Sequence, residues 1–255
     1  MWRKFRILVL LLILLIVALN QYFDRLYSTD WNTPLRVTVY PIDGDGSAVT
    51  GQFIKSLTPD RFQSLEEFFE REATFRGVTM ERPIQFKSAP QLLDHPPALA
   101  RDASVLGILG WSLRMRYWAW QVPDAGVAPD IKLFVIYHDP ARSPTLSHSV
   151  GMQKGLYGVV NAFADQPMIG SNDVITAHEL LHTLGATDKY SLQDNQPLHP
   201  IGYAEPTKEP LFPQSHAELM GGRIPLTSKQ STTPESLDQV VVGPLTAAEI
   251  GWIKQ

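Results

Sequence analysis

Residues 176–188 read Thr-Ala-His-Glu-Leu-Leu-His-Thr-Leu-Gly-Ala-Thr-Asp. His178 and His182 are four apart, so a helix places both imidazoles on one face, one turn apart. Glu179 lies about 100° around the helix from His178, with its carboxylate beside whatever the two rings hold. Gly185 follows the second histidine, where a left-handed glycine commonly ends a helix and reverses the chain. The reversal can bring Asp188 back to the two rings. Two imidazoles and one carboxylate suit a zinc ion and leave a fourth position for water, as catalytic zinc requires. Glu179 is then placed to act as the general base on that water.

His-Glu-x-x-His arises by chance in about 1% of chains of this composition, and the added glycine and third ligand bring this below about one in ten thousand. The bland alternative is a surface helix with two solvated histidines. Val174, Ile175, Ala177, Leu180, Leu181 and Leu184 surround the motif on most faces. That predicts a buried helix, in which unpaired histidines and a glutamate would be costly. The helix is predicted over 172–184, with Ser171 or Asn172 as its cap.

Upstream of this helix, residues 35–42 (LRVTVYPI) alternate and are rich in β-branched side chains, which predicts a strand. Asp43-Gly44-Asp45-Gly46 reads as a plain turn, since the spacing and glutamate of a calcium loop are missing. Residues 59–76 form an amphipathic helix, 84–87 a second strand, and 98–120 a long apolar-periodic helix. The aromatic cluster on that helix, Trp111, Tyr117, Trp118 and Trp120, suits a core or a membrane-facing surface. Residues 131–137 (IKLFVIY) are almost wholly apolar, as in a central buried strand, and 156–163 (LYGVVNAF) form another strand. A proline-rich stretch then runs to about residue 242, before a short helix over 246–252. This order predicts an α/β (α+β) fold.

The N-terminus carries a different signal. Arg3, Lys4 and Arg6 precede an unbroken apolar run from residue 7 to 19. Basic residues stay on the cytoplasmic side, so the rest of the chain is expected on the exported side. No good small-x-small cleavage site follows the run. Residues 1–24 are therefore read as a single-pass signal-anchor in the cell membrane, and 25–34 as a tether; the alternative is a cleaved signal and a secreted, soluble chain.

Composition narrows the partners. The formal charge is −4, and without the three N-terminal cations 19 basic residues face 26 acidic ones, a balance of −7. No basic surface for nucleic acid is indicated. The chain has no cysteine, which excludes disulfides, zinc–thiolate sites and a cysteine nucleophile. Oligomeric state, cleavage preference and physiological substrate are not encoded in any recognisable pattern.

With these residues in view, the chain resembles the metzincin zinc metallopeptidases, whose signature is His-Glu-x-x-His-x-x-Gly-x-x-His/Asp followed by a methionine turn. The aspartate at the third position is similar to the snapalysin-type branch. The resemblance implies a metzincin-like fold: a twisted mixed sheet with the active-site helix in an upper lobe (35–185), and a smaller irregular lower lobe (186–255). It implies zinc held by His178, His182 and Asp188, Glu179 as base, Gly185 at the turn, and Met220 as the methionine beneath the ligands. It also implies an edge strand that binds extended peptide, for which 156–163 occupies the matching place. The implied activity is endopeptidase action on peptide or protein substrates. A catalytically silent peptide-binding module and a zinc hydrolase of non-peptide amides remain as alternatives. Tyr190 is the first candidate for stabilising the oxyanion, with Tyr203, His216 and Arg223 behind it. His199 is the reserve third ligand, and His148 reads as a loop residue. The match covers 174–188 and extends, more weakly, over 216–252; residues 190–216 fit no pattern of the family.

Overall fold

A computed structural model describes residues 2, 4–12, 15, 28–98, 104–153 and 155–253 of the chain. The first strand, β1 (Leu35–Asp43), follows the predicted alternation. Leu35, Val37 and Val39 enter one core, while Tyr40 and Ile42 enter a second core on the opposite sheet face. After the aspartate–glycine turn comes α1 (Ala48–Ser56), whose cap Ser47 accepts a hydrogen bond from the Thr50 N–H at 3.0 Å. This helix is an addition to the sequence expectation, because Thr50 and Gly51 obscure its apolar period. Then α2 (Gln63–Phe75) buries Leu65, Phe68, Phe69 and Ala73, as its periodicity predicts.

The strand β2 (Ile84–Ser88) pairs in parallel with β1. The long helix α3 (Val105–Gln121) starts at the cap Ser104; the predicted start near residue 98 falls partly on residues outside those described. The central strand is β3 (Ile131–His138), parallel to β1 on one side and to β5 (Tyr157–Phe163) on the other. Between them in sequence lies β4 (Val150–Met152), antiparallel to β5. The sheet order is β2-β1-β3-β5-β4, four parallel strands and one antiparallel strand at the rim. The fold is thus mixed α/β, with a five-stranded, mostly parallel sheet.

The order corrects one expectation. The strand over 156–163 is an inner strand, and the rim belongs to the three-residue β4. So short a strand shows no alternation in sequence, whereas the run LYGVVNAF reads clearly.

Next comes α4 (Ile169–Thr183), preceded by a 3-10 turn at Gln166–Met168. The helix begins before Ser171 and Asn172, so neither caps it. Asn172 is instead buried, and its amide exchanges two hydrogen bonds with the main chain of Phe163, at 2.9 and 3.0 Å. That pair ties the helix to the end of β5. Beyond the helix lie short strand pairs: β6 (Ala217–Glu218) with β9 (Val240–Val241), and β7 (Ile224–Pro225) with β8 (Ser231–Thr232). The chain closes on α5 (Pro244–Glu249), which overlaps the predicted 246–252 but starts two residues earlier and ends three residues earlier.

The cores explain the layering. One face of the sheet carries α2 and α4, with Leu65, Phe69, Leu180 and Leu181 against Val37, Leu133 and Val160. Met220, Val242, Ala247 and Trp252 join the same cluster, so the C-terminal part shares one core with the sheet. The other face carries α3, through Trp111, Met115 and Ala119 against Tyr40 and Phe134.

At the N-terminus, residues 4–12 are helical with exposed side chains. The rest of the apolar run and the first part of the tether, residues 13, 14 and 16–27, lie outside the described residues, and the anchor reading lies partly there with them. Among the described residues no helix is long and apolar enough to cross a membrane.

Candidate metal centre

The site is built on the last turns of α4. Leu184 closes the helix, and Gly185 follows at φ 99°. The Ala186 N–H donates to Leu181 O at 3.0 Å, and the Gly185 N–H to His182 O at 3.1 Å. This is the Schellman arrangement, and it requires the left-handed residue that glycine supplies. A Cβ at 185 would also lie 2.4 Å from the Gln153 amide nitrogen. The reversal turns the chain back beneath His182 and delivers Asp188.

Each histidine is held by its far nitrogen. His178 Nδ1 donates to Leu219 O at 2.9 Å, and His182 Nδ1 to Ala186 O at 2.8 Å. A carbonyl can only accept, so both Nδ1 atoms carry the proton and both Nε2 atoms present a lone pair. Those two Nε2 atoms face each other at 3.1 Å, and Asp188 Oδ1 lies 3.2 and 3.1 Å from them. A tetrahedral ion with bonds of about 2.0 Å separates its ligand atoms by about 3.3 Å. The three donors therefore have the spacing of a metal site. Two lone pairs and an anion at this range repel unless a proton or a metal cation lies among them. Among the described residues this is the group of three that could hold a metal.

The charges respond accordingly. Burial works against a proton on His182, but Asp188 and the Ala186 carbonyl outweigh it and raise its pKa. Burial alone would raise Asp188, yet the two histidines hold it well below the usual carboxylate range. An arrangement that favours a proton on an imidazole beside a carboxylate also favours a metal cation there.

Glu179 is buried, and its Oε2 has no hydrogen-bond partner. Burial raises its pKa, partly offset by His178, His182 and the N–H of Gly151. A buried carboxylate with one unpaired oxygen beside the three donors is what a proton acceptor in this site requires. Tyr190 sits against Asp188; burial and that carboxylate raise its pKa, and its ring centroid lies 6.4 Å from that of His178.

The second layer comes from segments far apart in sequence. Met220 is fully buried, in a 3-10 turn at Leu219–Gly221 that ends on left-handed Gly222 at φ 72°. Its neighbour Leu219 supplies the carbonyl for His178, and Met220 O accepts from the Lys189 N–H at 2.8 Å. The methionine segment thus holds one of the three donors directly and the residue after another. Buried Glu218 fixes that turn to the start of α5, accepting from Gly221 N, Gly243 N and the Thr246 hydroxyl at 2.6–3.0 Å. Glu249 clamps both neighbours of Asp188. It accepts from Thr187 N and Oγ1 at 3.1 and 2.6 Å and pairs with buried Lys189 at 2.7 Å.

Sequence reasoning misses Gly151, Glu218 and Glu249 as parts of the site. Gly151 alone leaves a local sign, an isolated glycine between strand-forming residues. A Cβ there would lie 2.2 Å from Glu179 O and 2.6 Å from His182 Cβ, so β4 presses on α4 as only glycine permits.

The remaining candidates separate cleanly. His199 is exposed, bonded to Pro206 O at 3.2 Å and edge-on to Tyr203, outside the metal group. Tyr203 also packs on Phe212. Arg223 lines the cleft and His216 does not. His148 lines it too, and its carbonyl accepts from Asn161 at 3.1 Å.

Two adjoining hollows of about 360 and 340 Å³ meet at His178, Glu179 and Tyr190. The first is walled by Val174, Ile175 and Leu219, the second by Val150, Gly151, His182 and Asp188. A larger cavity, about 510 Å³, lies at the foot of α3. Lys132 pairs there with Asp124 and Asp130 with Arg36, and the three-residue group that could hold a metal lies elsewhere, so size does not make it the chemical site. The chain matches no model of a known protein family, and a comparison with curated proteins finds no significant match.

Proposed function

We propose that the chain is a membrane-anchored, zinc-dependent endopeptidase of the metzincin kind. The observation that carries this reading is the triangle of His178 Nε2, His182 Nε2 and Asp188 Oδ1, 3.1–3.2 Å on each side, with buried Glu179 next to it. His178, His182 and Asp188 would hold the ion, and the donor set of two imidazoles and one carboxylate with an open side suits catalytic zinc. Zinc in such a site supplies an acidified water and polarises a substrate carbonyl.

The chain's own residues do the rest. Glu179 takes a proton from the attacking water on its unpaired oxygen and passes it to the departing amine. Its raised pKa suits both halves of that transfer, and its burial keeps bulk water from competing for the proton. Tyr190, whose hydroxyl lies against Asp188, would donate to the oxygen that becomes negative.

A peptide substrate is favoured over a small amide by β4. Its only strand partner among the described residues is β5, and Val150 and Gly151 line the cleft beside Glu179. An extended peptide added to that rim would pass across the site. The test is hydrolysis of a mixed peptide library by the full chain in detergent or vesicles. Cleavage that disappears in Glu179→Ala while the metal is retained supports the reading. A metal-replete chain that binds peptides and cleaves none would instead be a peptide-binding module.

A further inference from the structure

The outer face of α3 is not built for water. The helix has no acidic residue and is apolar nearly all round. Trp111, Met115 and Ala119 pack inward on the sheet. Leu106, Leu109, Leu113, Tyr117 and Trp120 point outward, between 57% and 80% exposed. At 3.6 residues per turn these five fall within about 80° of arc, a single stripe about 21 Å long. Exposed Arg114 flanks the stripe on one side by the same geometry, and half-buried Arg116, on the other, lies by Tyr157 and Gly155. An apolar stripe of this length on a soluble surface marks an interaction site.

We propose that this stripe docks on the lipid bilayer, so that α3 lies in the membrane interface. The inference rests on residues 7–19 inserting in that membrane. Three observations select lipid as the occupant. First, the tether is short and fixed at its far end: Trp31 donates to Ile250 O at 2.7 Å and packs on Trp252 at 5.7 Å. Residues 20–30 then allow at most about 40 Å between the membrane segment and the domain. Second, α3 ends at the same end of the strands, although Trp31 packs on the core of the opposite sheet face. Asp130, between α3 and β3, bonds the main chain of Arg36 at the start of β1. Both the tether and the Trp120 end of α3 therefore lie at the amino ends of the parallel strands. Third, the chemistry of the stripe matches the interface. Leucines enter the acyl boundary, Tyr117 and Trp120 sit at headgroup depth, and exposed Arg114 meets anionic headgroups. A helix with two cations and no acidic residue stands out in a chain whose balance beyond the N-terminal segment is −7. The metal site lies with α4 on the opposite face of the sheet, so docking leaves the cleft open to substrate.

The absence of cysteine makes the test clean, since one introduced thiol is unique. Full-length Leu106→Cys and Leu113→Cys proteins are labelled with an environment-sensitive fluorophore and reconstituted in vesicles of phosphatidylcholine and phosphatidylglycerol, with and without brominated acyl chains. Leu192→Cys, at an 84% exposed site, is the control. The proposal expects quenching at 106 and 113 about threefold or more above that at 192, as for groups at shallow bilayer depth. Quenching no greater than the control on protein that floats with the vesicles would overturn it. So would disulfide-linked dimers through position 113 in place of quenching, which would assign the stripe to a second copy. Protein that fails to float would overturn the insertion of residues 7–19 as well, and so separates the two failures.

Discussion

His178 and His182 point where they do because each commits its Nδ1 proton to a main-chain carbonyl, one from the methionine turn and one from the helix's own reversal. Asp188 depends on its neighbours, and Glu249 grips both. Glu179→Ala is predicted to keep fold and metal and to lose kcat/KM by about two or more orders of magnitude, the usual scale for a general base. Single-turnover kinetics on metal-replete protein check this, and near-normal turnover would point to another base. Glu249 carries a pH signature. Burial would raise its pKa, but Lys189 and Thr187 hold it below 4.5. A carboxyl depressed in the folded state stabilises above its unfolded pKa, and that stability is lost as pH falls through the folded value. Glu249→Gln is therefore predicted to lower Tm at neutral pH and to flatten the acid limb below about pH 4.5. Melting curves of both proteins from about pH 3 to 7 decide it, with parallel acid limbs as the contrary result.

At the scale of elements, two glycines carry the close approaches that shape the site. At 185 the backbone is left-handed at φ 99°, and at 151 a strand lies directly on α4. Gly151→Ala is predicted to push β4 outward, since its Cβ would fall 2.2 Å from Glu179 O. The cost should be about 1–3 kcal/mol of stability, as for other overpacked sites, with KM for peptides rising more than metal affinity falls. Denaturant melts and a KM-against-kcat comparison test this; an unchanged KM would remove β4 from substrate binding. The legible elements are those long enough to show a pattern: β1 by alternation, α2 by a one-sided apolar stripe, β3 by its almost wholly apolar run, and α4 by the histidine spacing set among apolar residues. The elements that escape are short or tied by distant contacts. The rim strand has three residues and no period. Asn172 resembles a cap because its side chain seeks main-chain partners, and it finds them nine residues back at Phe163. Gly185 and the three candidate donors are legible because helix spacing and the turn that follows relate them, whereas Glu218 and Glu249 act across the fold and leave no local spacing.

For the whole molecule, one core joins the sheet, α4 and the C-terminal segment, so the two lobes expected from the sequence share their packing through Met220, Val242, Ala247 and Trp252. The irregular stretch over 190–216 is a loop region in the structure as well, built on turns and side-chain bonds such as Glu205 with Ser215 at 2.6 Å. Such contacts have no periodicity for a sequence reading to find. With Arg3, Lys4 and Arg6 retained inside, the domain is predicted to face the exported side. External protease should digest it in intact cells stripped of their outer layers, and a protected domain would reverse the orientation. The reading of the whole chain turns on the metal. Elemental analysis of the purified full-length protein and of His182→Ala is the most direct measurement. The account predicts about one zinc per parent chain and loss of most of it in the variant, because two protein ligands hold zinc far more weakly than three. Full zinc occupancy in His182→Ala, or a well-folded parent that takes up no zinc, would contradict it.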